Sequence, residues 1–81
     1  MSFTPELIAE LEVLALFNLD SNQEGIKIHA NASPALVAAA KRLHAKQLTD
    51  QPDGGYLTSL GHDAVESVQL LLNVLKAPQP A

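Results

Sequence analysis

The chain is expected to fold as a small, mainly helical α+β domain with its elements in the order helix, strand, helix, strand, strand, helix. Three observations predict this. Thr4-Pro5-Glu6 and Ser33-Pro34 each have the chemistry of a helix start. Pro52-Asp53-Gly54-Gly55 is a tight-turn sequence, and Tyr56-Leu57-Thr58 directly after it leads into a third helical pattern.

The first helix should begin at Pro5. Thr4 can accept a hydrogen bond from an orphan backbone N–H, Pro5 has the fixed φ of a first helical position, and Glu6 opposes the positive end of the helix dipole. Leu7, Leu11, Leu14 and Phe17, joined by Ile8 and Ala15, recur at helical spacing and are expected to face inward, with Glu6, Glu10 and Glu12 towards water. Residues 13–17 are all apolar, so that end of the helix should be covered on more than one side. Residues 18–25 are rich in turn formers and are expected to form a loop.

Ile26-Lys27-Ile28-His29 alternates apolar and polar residues, which predicts a short edge strand with Ile26 and Ile28 inward. The second helix is expected over 33–46, with Leu36, Val37, Ala40, Leu43, His44 and Leu48 tracing its inner side. Its basic residues Lys41, Arg42 and Lys46 lie in the C-terminal half, where they complement the dipole. Residues 48–51 and 55–57 should pair as a hairpin about the Pro-Asp-Gly turn. Thr58 can cap the third helix, in which Leu60, Ala64, Val68, Leu71 and Leu75 form the expected inner stripe. The core should then contain Leu11, Leu14, Ile28, Leu36, Ala40, Leu43, Leu48, Leu57, Leu60, Ala64 and Val68. No linker or repeat divides the chain, so one domain is expected over 1–81, ordered from about residue 4 to residue 76, with a flexible tail at 77–81.

The bulk composition limits the function classes. An 81-residue chain with 47% hydrophobic and 17% charged residues belongs with folded proteins. A domain this short buries only about 60% of its unfolded surface, so association with another chain is a ready source of stability. Five Lys and Arg stand against nine Asp and Glu, a formal charge of −4. That balance is poor for nonspecific binding to nucleic acid or to an anionic membrane. There is no secretory leader pattern and no apolar run of membrane-spanning length, so a soluble cytoplasmic protein is expected.

Residues 26–75 resemble a winged helix-turn-helix domain: a short strand, a recognition-type helix with Leu36, Ala40 and Leu43 inward, a hairpin, and a closing helix behind Tyr56-Leu57-Thr58 and Gly61. The whole chain also resembles a family of small uncharacterised bacterial proteins sometimes labelled DNA-binding. The resemblance implies duplex DNA as a partner. It departs from the pattern in three places. Only residues 30–32 separate the strand from Ser33, so the scaffolding helix that should precede the recognition helix is missing. Ala35, Val37 and Ala38 occupy the early outward positions of the recognition-type helix, which in DNA-binding relatives carry polar groups, and offer nothing to a base edge. The wing carries Asp50 and Asp53 and no Lys or Arg, which repels phosphates. Direct contact with DNA would fall to Asn31, Ser33, Lys41, Arg42 and Lys46, with Lys27 nearby.

Catalytic chemistry has no foothold in the sequence. It contains no Cys, no nucleophile elbow and no phosphate loop. Ser59, His62 and Asp63 fan out around one helix start and cannot form a triad. His29, His44 and His62, with Asp63, lack the spacing of a metal site. No catalytic residue, metal or cofactor is expected. The remaining feature is apolar excess: the first and third helices are wider in hydrophobic residues than one core contact needs, and Leu16, Leu70, Leu72 and Val74 are expected to mediate self-association, as in a homodimer.

Overall fold

The computed structural model describes residues 2–20 and 25–78. The expected order holds: α1 (Pro5–Leu14), β1 (Ile26–Lys27), α2 (Pro34–Ala45), β2 (Thr49–Gln51), β3 (Gly54–Leu57) and α3 (Ser59–Lys76). The three strands make one antiparallel sheet in the order β1-β3-β2. The layout is roughly consistent with a reduced winged-helix-like one, and a single turn closed by the Ala32 N–H on the His29 carbonyl (2.9 Å) separates β1 from α2.

Each helix start follows its cap chemistry. Thr4, Ser33 and Thr58 side chains accept from the N–H groups of Leu7, Leu36 and Gly61, at 3.1, 3.2 and 3.0 Å. α2 ends in a tight αL turn: the Leu48 N–H returns to the Leu43 carbonyl and the Gln47 N–H to that of His44. This pattern requires a left-handed residue, and here it is Gln47 at φ 69°, a position where glycine is usual.

The hairpin turns about Pro52 and Asp53. Thr49 faces Leu57 and Gln51 faces Gly54, so β3 holds one residue more than β2 across the same span, a bulge. Gly54 (φ 123°) and Gly55 (φ 72°) supply the backbone it needs. The Asp50 carboxylate accepts from the Tyr56 N–H at 2.8 Å, so this acidic wing residue has a structural task in the bulge. β1 is shorter than the alternation of residues 26–29 predicts, although the Ile28 N–H still donates to the Asp53 carbonyl at 2.7 Å.

The core lies between the helices and is built from Ala9, Val13, Leu14 and Phe17 of the first helical segment, Ala39 and Leu43 of α2, and Val65 of α3. Three expectations are corrected. α1 ends at Leu14, with a tighter turn carrying the chain on to a buried Phe17. Leu11 is 39% exposed, because α1 turns Ala9, Glu10, Val13 and Leu14 inward. Leu60 is 57% exposed, and Leu71 and Leu75 are exposed with it, because α3 presents Gly61 and Val65 to the core. The reason is steric. A Cβ on Gly61 would lie 1.9 Å from the Leu48 carbonyl oxygen, so only a glycine lets α3 start against the end of α2 in this phase. Residues 21–24 of the expected loop and 79–81 of the expected tail lie outside the described residues.

Candidate functional site

The basic group proposed from the sequence divides between two sides of α2. Arg42 and Lys46, one helical turn apart, reach across to α1. There the Arg42 Nε donates to Glu10 Oε2 at 3.1 Å, its Nη2 donates to the Glu6 carbonyl at 3.1 Å, and the Lys46 Nζ bonds Glu10 Oε1. The Glu10 side chain is only 8% exposed. Burial pushes the Glu10 carboxyl up, but the hydrogen bonds from Lys46 and Arg42 and the charges behind them outweigh it and hold its pKa below the ordinary carboxylate value. Two of the five basic residues are therefore engaged in joining α1 to α2.

Lys41 lies on the other side. With Lys27 of β1 and His29 it lines a cleft of about 540 Å³ between α2 and the hairpin, floored by Ile28, Val37 and Ala40. Asp53 stands on the same cleft. Asn31 is exposed in the turn before α2, and Ser33 caps that helix. Of the five expected nucleic-acid residues, Arg42 and Lys46 are thus engaged with α1, and Lys41 alone lines this cleft.

Leu16, Leu70 and Val74 are exposed, while Leu72 is half-buried in a groove of about 220 Å³ between α1 and α3, whose lining is apolar except for Glu12 and includes Ile8, Leu11, Val68 and Leu71. Leu75 is 71% exposed. From Leu70 to Lys76 no residue of α3 is fully buried. The radius of gyration, 13.2 Å, exceeds the roughly 12 Å of a compact domain of this length. The sequence carries this as excess apolar width in α1 and α3; Leu71, expected on the inner stripe, is 57% exposed.

Among the described residues, the three imidazoles do not gather. The potential ligand set found there is His62, Asp63 and Glu66, all on the first half of α3, with His62 Nδ1 3.0 Å from Glu66 Oε1. Three ligands on one solvent-facing stretch of helix fall short of the four of a closed structural zinc site, and the His62–Glu66 pair is an ordinary i, i+4 surface interaction. No helix among the described residues is long and apolar enough to cross a membrane.

The structure defines a small, mainly helical α+β protein with exposed apolar residues along the second half of α3. Residues 1–76 match DUF5669, a family of unknown function, and the chain belongs to that family. No curated protein and no solved structure matches it.

Proposed function

We propose that this chain is a non-enzymatic protein-interaction module that keeps the order of a winged helix and works through the apolar face of α1 and α3. The carrying observation is the second half of α3, where Leu70, Leu71, Val74 and Leu75 are each more than half exposed beside an apolar groove. A soluble monomer rarely leaves a patch of this kind open, and such patches mark interfaces. Dilute protein should bind a hydrophobic fluorescent dye. Leu71→Glu combined with Val74→Glu should remove that binding while helicity and melting temperature stay nearly constant, because both side chains are outside the core. Unchanged dye binding in the double variant would exclude the proposal, as would solvent-shielded methyl groups of Leu71, Val74 and Leu75 in the monomer.

Weak, salt-sensitive binding of duplex DNA is the second reading. It is favoured by the convergence of Lys27, His29 and Lys41 on one cleft, with Asp53 the acidic residue on its lining. Arg42 and Lys46 contribute less to it while both are paired with Glu10, which offsets one of their two charges. NMR titration with a duplex at low salt should shift the amides around Lys27 and Lys41, and the shifts should vanish in Lys41→Glu. A flat response at millimolar duplex removes this reading.

A further inference from the structure

α3 carries two stripes one residue apart. Gly61, Val65, Val68 and Leu72 turn towards the protein's own interior. Immediately beside them run Leu60, Ala64, Ser67, Leu71 and Val74, spaced alternately by four and three residues, which is the hydrophobic repeat of a coiled coil. This second stripe faces water: Leu60, Leu71 and Val74 are 57%, 57% and 63% exposed, and Ser67 is exposed with them. It contains no charged residue; at 100° per residue Asp63 borders it, roughly 60° from its centre, while Glu66 and Lys76 fall further round the helix.

Resting on the interaction-face reading above, we propose that this seam packs antiparallel against the seam of a second copy, giving a two-fold symmetric dimer. The repeat selects the direction. When Ser67 lies opposite Leu71 of the second copy, Ala64 lies opposite Val74, so each of the four central layers pairs a small side chain with a large one, and Leu60 lies beyond the end of the second copy's helix. In the parallel arrangement Ser67 meets Ser67 and Ala64 meets Ala64, which leaves two layers underfilled. Leu71 also lines the groove between α1 and α3, and Leu75 projects next to it along α3, so one side of the domain offers both a projection and a recess for a self-complementary contact. Aliphatic side chains of this size, here between 39% and 71% exposed, present roughly 100 Å² each on average. Ile8, Leu11, Leu16, Leu70, Leu71, Val74 and Leu75 together offer on the order of 700 Å² per protomer, close to the roughly 800 Å² each partner gives in a standard interface. An unrelated partner would have to bring a helix with the same repeat; a second copy already has one.

The chain contains no cysteine, so engineered thiols report the pairing cleanly. Ser67→Cys and Leu71→Cys chains, mixed and mildly oxidised, should give a disulfide-linked heterodimer, whereas either variant alone should not link, because like positions are separated along the helix axis. Sedimentation of the wild type should show a dimer. Leu71→Glu should raise its dissociation constant about 100-fold or more while the circular-dichroism spectrum persists, since a carboxylate would be buried without a partner. A wild type that stays monomeric at millimolar concentration overturns the pairing, and so does a dimer indifferent to Leu71→Glu. Efficient self-linking of Leu71→Cys overturns the antiparallel direction. A monomer that still binds the dye through Leu71 refutes the self-pairing alone and leaves the interaction face intact.

Discussion

Glu10 is held between Arg42 and Lys46, and its carboxyl is the most enclosed charge among the described ion pairs. Its pKa in the folded chain is depressed from the ordinary value of 4.5. The stabilisation that this implies is fully present above that value and is lost as pH falls through the lower folded one. Glu10→Gln should cost about 1–3 kcal/mol at neutral pH, the lower part of the range reflecting how far the two cations are screened by solvent. It should also flatten the decline of melting temperature below pH 4.5, which a series of acid melts would show; an unchanged slope would place the acid sensitivity elsewhere. None of this could be read locally in the sequence. The partners lie 32 and 36 residues away, and an acidic residue between two others looks like part of a solvated face.

At the scale of elements, the junction of α2, the hairpin and α3 depends on a few backbone requirements. Thr58 uses its hydroxyl twice, accepting from the Gly61 N–H and donating to the Gln47 carbonyl at 2.7 Å, while its own N–H donates to the Leu48 carbonyl. Gly61→Ala should destabilise the domain by about 2–4 kcal/mol, since the new methyl group cannot coexist with the Leu48 carbonyl. Gln47→Gly should act the other way, by about 0.5–1 kcal/mol, because it removes a side chain from a left-handed position. Chemical denaturation of the two variants, compared with wild type, tests the opposite signs. These helix starts and the turn were legible in advance because each rests on residues within four positions of one another. The phase of α3 was not. Two apolar stripes one residue apart satisfy periodicity equally well, and the contact that decides between them joins Gly61 to a carbonyl 13 positions earlier in the chain.

For the molecule as a whole, small size and an open apolar face bear on the same measurement. A folded state that pairs with itself gains stability by mass action, so the melting temperature should rise with protein concentration, and it should stop doing so in Leu71→Glu. Calorimetry over a hundredfold concentration range would settle the matter, a constant melting temperature counting against the dimer. The order of elements and the existence of an apolar surplus could be inferred from one sequence, because both are written in local chemistry and composition. Which side of α3 carries that surplus depends on how the helix is seated, and that is a property of the assembled domain.

The one-residue offset between the two stripes makes the chain's tolerance of length change one-sided. A residue added just after Gly61 would advance the rest of α3 by 100°, turning Ala64, Ser67 and Leu71 inward and showing Asp63, Glu66 and Asn73 where the seam had been. Removing a residue there would instead drive Glu66, Gln69 and Asn73 into the interior. Lengthening leaves a weaker, solitary domain; shortening leaves no domain at all.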